Sequence, residues 1–406
     1  MTAQAGGAAP AYVLQGTLLT DGTRTEDGVM AVSGTRIAYA GPRAGFDPRS
    51  LPAARALELP PGSLILPGMV DLHCHGAAGG DFPGGDAPAA RTAVEYLHRS
   101  GTTTLLASMV TASREDLLRS AATLNRLAGE GLIAGIHAEG PFLSHTRCGA
   151  QDPRFLLDPD LDLLSELAAA AGGHLRTMTY APELPGAGHL VAALVEQGVL
   201  PSLGHTDADA GTTADSLTEA AGLLAASGAE GARPTVTHLF NGMPPLHHRS
   251  PGPVAACLRL AAAGTVAVEL VADGVHLDPE TVRMVFAVAG ARNIVLVTDS
   301  MAATGLPDGD YDLGPAGVRV TGGEARLRSN GSLAGGTATL LDVVRRTAAA
   351  GVDAAQAVLS ATAVPAAILG LGDELGSLRA GLRADVVVTD AGFNPAVVIR
   401  HGRRLA

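Results

Sequence analysis

Lysine and tryptophan are both missing from this chain of 406 residues, so its 28 basic side chains are all arginine. The missing lysine excludes a lysine Schiff base, a lysine general base and a carboxylated lysine that bridges two metal ions. Aromatic residues make up only 3% of the chain, whereas hydrophobic residues make up 47%. The chain can therefore bury a large core, which must consist mainly of Ala, Val, Leu and Ile.

Positive charge and cysteine are also scarce. The formal net charge is −12 and no basic cluster is present, which argues against a nucleic-acid-binding protein. The three cysteines argue against a disulfide framework and fit a reducing cytosol. Met1–Pro10 lacks the features of a signal peptide, and no apolar run reaches membrane-spanning length without Gly, Pro or charge. We therefore expect a cytoplasmic protein with neither nucleic acid nor membrane as a partner.

The chain does contain a regular alternation of short apolar runs and amphipathic helical stretches. Up to about Ser63 the pattern is β-type, as in Ala11–Gln15 and Gly28–Ser33. The eight apolar runs that follow are Pro67–Leu72, Thr103–Ser108, Ile133–His137, Arg176–Tyr180, Val199–Leu203, Thr235–Leu239, Val266–Val271 and Asn293–Val297. Strand–helix alternation with eight repeats predicts a closed (β/α)₈ barrel of the α/β class, with an open parallel sheet as the alternative.

The last segment returns to β character, with predicted strands at Asp385–Thr389 and Val397–Arg400. The β-type segments at both ends of the barrel predict one small β-sandwich domain built from both termini. This interpretation divides the chain into residues 1–65, the N-terminal part of the sandwich, 66–365, the metal-dependent catalytic barrel, and 366–406, the C-terminal part of the sandwich.

Polar residues fall at the carboxyl ends of the predicted strands, where barrel enzymes build their sites. They are His73, His75, Glu139, His205, His238 and Asp299. Residues two apart in a strand point to the same side, so His73 and His75 converge as a cation needs, while Cys74 faces away. Neutral imidazoles with a carboxylate suit zinc and also ferrous iron. Asp299 is a candidate proton carrier, and a helix N-cap is its alternative role.

Several blocks of sequence resemble the amidohydrolase superfamily. The first-strand block Pro67–Gly76 and the closing block Gly376–Val387 resemble the superfamily as a whole. Four further blocks, in the family order, are similar to the N-acetylglucosamine-6-phosphate deacetylases; they are His137–Phe142, Leu203–Thr206, Thr237–Pro244 and Leu296–Asp299. The similarity runs from about residue 12 to the end of the chain.

This resemblance implies two metal sites that share one carboxylate. His73, His75 and Glu139 would form one site, and Glu139, His205 and His238 the other. Glu139 would stand where many binuclear relatives carry a carboxylated lysine. The expected cofactor is one or two divalent ions per subunit, with zinc first and iron, manganese or cobalt as alternatives. Asp299 would take a proton from the attacking water and pass it to the departing amine.

The resemblance also implies a set of substrate-binding residues. They are Ala150, Gln151, Asn241, Gly242, Arg249, His276, Leu333, Ala334 and Gly335. Arg249 matches a phosphate-binding arginine, whose planar guanidinium can hold phosphate through two hydrogen bonds, and a solvated surface arginine is the alternative. Gln151 stands where the family often has histidine, and its amide can donate to a carbonyl but cannot become charged.

Together these observations and the resemblance predict a cytoplasmic deacetylase that converts N-acetylglucosamine 6-phosphate and water to glucosamine 6-phosphate and acetate. The resemblance alone implies that it is a homodimer. The expected partner is thus a small sugar phosphate. One alternative is an N-acetylgalactosamine-6-phosphate deacetylase, because the two sugars differ at a single hydroxyl. Others are a different amidohydrolase, such as a D-aminoacylase or a nucleobase deaminase, and a non-catalytic scaffold with the same fold.

Overall fold

The computed structural model describes residues 11–228 and 231–405. The prediction that Met1–Pro10 is not a signal peptide therefore lies outside the described residues. In chain order, the described strands are β1 (Ala11–Thr20), β2 (Thr23–Ser33), β3 (Arg36–Pro42), β4 (Arg55–Ala56), β5 (Leu64–Pro67), β6 (Met69–Cys74), β7 (Gly76–Ala77), β8 (Gly80–Asp81), β9 (Thr102–Met109), β10 (Gly135–Glu139), β11 (Leu175–Tyr180), β12 (Leu200–Leu203), β13 (Thr235–Val236), β14 (Ala267–Leu270), β15 (Ile294–Leu296), β16 (Gly309–Leu313), β17 (Ala316–Thr321), β18 (Glu324–Leu327), β19 (Val386–Thr389), β20 (Pro395–Arg400) and β21 (Arg403–Arg404).

The helices alternate with the strands through the middle of the chain. They are α1 (Ala87–Arg99), α2 (Arg114–Gly129), α3 (Leu161–Ala170), α4 (Ala187–Glu196), α5 (Ala210–Ala226), α6 (Gly252–Ala262), α7 (Pro279–Ala289), α8 (Leu340–Ala349), α9 (Ala354–Ser360) and α10 (Ala363–Ile368). Asp86, Ser113 and Asp278 start α1, α2 and α7, because each side chain accepts a backbone N–H of the first turn. Within the described ranges, no helix is both long enough and apolar enough to cross a bilayer.

Eight strands form the parallel sheet of the barrel, in the order β15, β14, β13, β12, β11, β10, β9 and β6. The gap between its two end strands is bridged where the Asp299 N–H donates to the His73 carbonyl at 2.9 Å and where Cys74 pairs with Ser300. The predicted barrel and its eight strands are confirmed. One strand is shorter than expected: β13 ends at Val236, since His238 has a left-handed φ of 28° that turns the chain out of the sheet.

Both ends of the chain build the second large sheet, whose strands run in the order β21, β20, β19, β5, β1, β2 and β3, with β4 beside β1. Its apolar side includes Leu14, Met30 and Ile65 from the N-terminal part and Val386 and Ile399 from the C-terminal part. The predicted separate β-structure made from both termini is therefore confirmed. Strand β19 lies antiparallel to β5 and joins the two halves of this sheet.

A three-stranded antiparallel ribbon, β16–β18, follows the last barrel strand and was not predicted from the sequence. Its apolar side chains Leu313, Val318 and Val320 pack with Met301 and Val110 in a small separate core. The ribbon strands alternate buried and exposed side chains, so they lack the continuous apolar runs that mark the barrel strands. The ribbon matters for function because Leu313 reaches the cavity described below.

The three cysteines are all free thiols. Cys74 and Cys257 are buried, and Cys148 is partly exposed. The Cys74 thiol donates to the Leu106 carbonyl at 3.3 Å, in the apolar layer outside the barrel. Cys74 thus faces away from the neighbouring histidines, as the alternation of a strand predicts.

Candidate active site

The first group of candidate ligands is formed by His73, His75 and Glu139. His73 lies in β6 and His75 directly follows it, and their Nε2 atoms are 3.1 Å apart. The Glu139 carboxylate, at the end of β10, places Oε2 3.3 Å from His75 Nε2 and 3.7 Å from His73 Nε2. All three side chains are buried, so the negative charge of the Glu139 carboxylate requires a positively charged or hydrogen-bonding partner inside the protein.

The second group is formed by Glu139, His205 and His238. The other Glu139 oxygen, Oε1, lies 3.1 Å from His205 Nε2 and 2.9 Å from His238 Nε2. These two ring nitrogens are themselves 3.1 Å apart. One carboxylate thus stands between two pairs of imidazoles and offers one oxygen to each pair.

The outer ring nitrogens fix the protonation of three of these imidazoles. His205 Nδ1 lies 2.7 Å from the Arg147 carbonyl and His75 Nδ1 lies 3.3 Å from the Ser108 carbonyl. A carbonyl only accepts, so each Nδ1 carries a proton, and each Nε2 is the nitrogen that would offer a lone pair to a bound cation. His73 Nδ1 meets a carboxylate oxygen in the same way, at 3.4 Å. Converging lone pairs and a carboxylate are the arrangement that a divalent cation requires, so the residues fit a metal centre.

The charges of this centre shift the pKa of its members strongly. Burial lowers the pKa of His75, but the hydrogen bonds to Asp299 and Glu139 outweigh burial and raise the pKa to about 9. Burial raises the pKa of Glu139, but the charge of His73 and hydrogen bonds from neighbouring imidazoles bring it well below its ordinary value. The carboxylates therefore stay ionised, and a bound cation would replace protons on the imidazoles.

Asp299 follows β15 and faces the first group of ligands from the rim. Its Oδ1 lies 3.1 Å from His75 Nε2, and its Oδ2 lies 3.6 Å from His276 Nε2. Burial raises the pKa of Asp299, but the charges of His73 and His75 and the hydrogen bond from His75 lower it below its ordinary value. His276 Nδ1 is held by Asp273 Oδ2 at 2.9 Å, so the ring presents its other nitrogen to Asp299.

Gln151 has both ends of its amide engaged inside the protein. Its Nε2 donates to Glu139 Oε2 at 2.7 Å, and its Oε1 accepts from the Thr111 N–H at 2.7 Å. The amide orientation is fixed by these two partners, because a backbone N–H can only donate. Gln151 therefore contacts the shared carboxylate directly and is buried beside it.

A cavity of about 360 Å³ opens over the two groups of ligands. Among the residues predicted to bind substrate, those that line it are Ala150, Gln151, Asn241, Gly242, His276, Leu333 and Gly335. Two predicted residues are placed elsewhere. Ala334 is fully buried in the small core under the ribbon. Arg249 is exposed and is not among the described residues that line the cavity.

Several residues of the site were not singled out from the sequence. Phe240, Leu313 and Ser332 also line the cavity, Asp273 orients His276, and the buried carboxylate of Glu269 contacts His73. Glu269 could have been found, because it is a charged residue inside the apolar run Val266–Val271. No comparable signal marks Leu313, since its position depends on how the ribbon folds back over the rim.

Comparison with known proteins agrees with this geometry. The model of the amidohydrolase family matches residues 64–405. The N-acetylglucosamine-6-phosphate deacetylase of Bacillus subtilis (strain 168) is 34% identical over 363 residues, which cover 86% of this chain and 87% of that protein. The N-acetylgalactosamine-6-phosphate deacetylase of Escherichia coli O157:H7 is 35% identical over 337 residues, which cover 82% and 85%.

A solved structure extends the agreement to three dimensions. The crystal structure of N-acetyl-D-glucosamine-6-phosphate deacetylase from Mycobacterium smegmatis superposes with a TM-score of 0.87 at 37% identity, covering 97% of this chain and 100% of that one. The likeness thus includes the barrel and the sheet made from both termini. The chain therefore belongs to the amidohydrolase family, in the group of the N-acetylglucosamine-6-phosphate deacetylases.

Proposed function

We propose that the chain is a metal-dependent hydrolase that removes the N-acetyl group from N-acetyl-D-glucosamine 6-phosphate and releases D-glucosamine 6-phosphate and acetate. The observation that carries this proposal is the position of Glu139, whose two oxygens each face a different pair of imidazoles. Relatives over most of the chain are named as deacetylases of this sugar phosphate, and they supply the substrate class.

The proposed cofactor is one or two divalent ions per chain, with zinc preferred and iron, manganese or cobalt as alternatives. His73 and His75 would hold one ion with Glu139, and His205 and His238 would hold the other with the same carboxylate. When bound, such an ion polarises a carbonyl oxygen and lowers the pKa of water towards neutrality.

Asp299 is the proposed proton carrier. Its ionised carboxylate can accept the proton of the water that attacks the acetyl carbon. An amine leaves poorly unless it is protonated, so Asp299 then gives that proton to the sugar nitrogen. His276, fixed by Asp273, would contact the substrate beside Asp299.

The rest of the substrate would lie along the cavity wall. Ala150, Asn241, Gly242, Leu333 and Gly335 all line this cavity. Gly242 has a φ of 60°, and a Cβ there would lie 2.8 Å from His205 Nδ1. Glycine therefore allows the backbone to lie close to the imidazole of His205. Arg249 lies in the exposed continuation of this segment, and we retain it as the proposed contact for a phosphate at the cavity mouth.

The test is acetate release by metal-loaded protein from N-acetylglucosamine 6-phosphate and from unphosphorylated N-acetylglucosamine. We expect rapid release from the phosphorylated sugar alone, and Arg249→Ala should raise its KM with little change in kcat. Arg292→Ala, which removes another exposed arginine outside the cavity lining, is the matched control. Equal rates on both sugars, or no acetate from either with metal bound, would contradict the proposed substrate and favour a different amidohydrolase.

N-acetylgalactosamine 6-phosphate is the second candidate substrate, because a relative that is 35% identical is named as its deacetylase. The two sugars differ at one hydroxyl, so a comparison of kcat/KM on both decides between them. We further propose a cytoplasmic homodimer that acts in amino-sugar catabolism. The oligomeric state is measured by light scattering of the purified protein.

A further inference from the structure

Glu269 is a charged residue in the middle of the buried strand β14. Its neighbours Val268 and Leu270 are fully buried, and Glu269 itself is 2% exposed. A buried carboxylate is costly unless it is hydrogen-bonded or paired. The Glu269 side chain meets this need at the metal-ligand groups: Oε2 lies 3.4 Å from His73 Nδ1 and 3.3 Å from the His238 backbone nitrogen.

The contact with His73 determines how that imidazole can bind a cation. His73 Nδ1 faces the Glu269 carboxylate, so Nε2 is the ring nitrogen that remains to bind a cation at the centre. His73 Nε2 is the atom that lies 3.1 Å from His75 Nε2 in the first group. A carboxylate behind a ligating histidine fixes the orientation of the ring and makes the imidazole a stronger donor.

The contact with His238 acts on the backbone. His238 has a φ of 28°, outside the ordinary regions for a residue with a side chain, and its N–H donates to the Glu269 carboxylate. The next amide, Leu239 N–H, donates to the Glu269 carbonyl at 2.9 Å. His238 Nδ1 has no hydrogen-bond partner among the described residues, so this ligand is supported through its backbone, by Glu269 at the N–H and by Asn241 at the carbonyl.

We propose that Glu269 is a positioning residue that orients one ligand from each of the two groups, His73 from the first and His238 from the second. A single carboxylate oxygen thereby links the affinities of both groups for metal. Glu269 is not among the described residues that line the cavity, so it acts through the ligands and not through the substrate. The inference rests on the metal centre of the proposed function but not on the identity of the sugar.

The test is a titration of metal-free protein with Zn²⁺ in competition with a chelator, without any sugar. Glu269→Gln keeps the shape of the side chain but removes its negative charge and replaces one of its two acceptor oxygens with an NH₂ group. We expect the dissociation constant of every bound ion to rise about tenfold or more. Glu269→Asp keeps the charge on a shorter side chain and should fall between Glu269→Gln and the wild type. The visible spectrum of the Co²⁺-loaded protein should change in the same order.

The matched control is Asp385→Asn. Asp385 is 3% exposed, accepts the His401 N–H at 2.8 Å and pairs with Arg383, but it lies in the segment that leads into β19. This variant should lose stability and keep wild-type zinc affinity. Wild-type affinity in Glu269→Gln, or an equal loss in Glu269→Gln and Asp385→Asn, would overturn the inference. A failure of acetate release with zinc bound would contradict the proposed function and leave this inference standing.

Discussion

At the scale of single residues, the centre depends on the two oxygens of Glu139. Oε1 faces His205 and His238, whereas Oε2 faces the first group and also accepts from Gln151. Since the chain contains no lysine, no carboxylated lysine can take this place. The hydrogen bond from the Gln151 amide restrains rotation of the Glu139 carboxylate. The neighbouring residues therefore keep one oxygen directed at each group.

This arrangement predicts that Glu139→Gln loses metal from both groups, because the change removes the negative charge that both groups share and replaces one ligating oxygen with an amide nitrogen that cannot ligate. His75→Ala removes a ligand from the first group only and should lower the zinc content by less. Zinc per chain, measured by mass spectrometry after gel filtration, distinguishes the two variants. Wild-type zinc content in Glu139→Gln, or the same content in both variants, would refute the shared role of the carboxylate.

At the scale of elements, helix α1 contains a buried histidine that cannot be a member of the active site. His98 is 5% exposed, and its Nε2 finds no hydrogen-bond partner among the described residues. Burial, with smaller contributions from the charges of Arg400 and His401, lowers the pKa of His98 from 6.5 to about 3. The folded protein therefore keeps this imidazole neutral.

The pH dependence of stability follows from that shift. Between pH 6.5 and pH 3 the unfolded chain binds a proton at His98 that the folded chain does not bind. The free energy of unfolding should therefore fall as the pH decreases through this window. His98→Leu should make the fall shallower, as measured by urea unfolding at several pH values. His189→Leu, at an exposed position of α4, is the control, and identical slopes for His98→Leu and the wild type would contradict the account.

The sheet made from both termini depends on close contact between its two halves. Gly402 has a φ of 73°, its N–H donates to the Ala384 carbonyl, and a Cβ there would run into the Gly34 carbonyl between β2 and β3. Gly381 has a φ of 92° but open space around a Cβ. Both changes to alanine carry the backbone cost of about 1–3 kcal/mol, and Gly402→Ala adds a steric clash.

We therefore expect Gly402→Ala to lower the free energy of unfolding by more than Gly381→Ala. Chemical denaturation monitored by circular dichroism measures the difference. Equal losses in the two variants would mean that the two halves of the sheet do not meet at Gly402.

At the scale of the whole molecule, the barrel and its polar rim could be predicted because both depend on local signals. Buried parallel strands such as β15 have continuous apolar sequences, and His75, Glu139 and Asp299 mark where strands end. The exposed position of Arg249 could not be predicted in the same way. Arg249 lies in a loop, and loops have no periodic pattern that distinguishes buried from exposed side chains. The proposed domain boundaries at residues 65/66 and 365/366 stay a prediction.

Gln151 illustrates the same limit within the site. The sequence placed it beside the centre and predicted a hydrogen bond to the substrate, but the structure directs its amide to Glu139 and Thr111. The Thr111 partner lies 40 residues away in the chain, after another barrel strand. Residue type and motif position therefore located Gln151, whereas its partners depend on how neighbouring strands bring loops together.

The most direct test of the central claim is acetate release from N-acetylglucosamine 6-phosphate by the wild type and by Asp299→Asn, with bound zinc measured in both. The account predicts rapid release by the wild type and a fall of about 10²–10⁴-fold in kcat for the variant, because a positioned acid–base group is lost. Zinc should stay bound, since the variant keeps all three ligands of each group. A zinc-loaded Asp299→Asn protein that releases acetate at the wild-type rate would contradict the account.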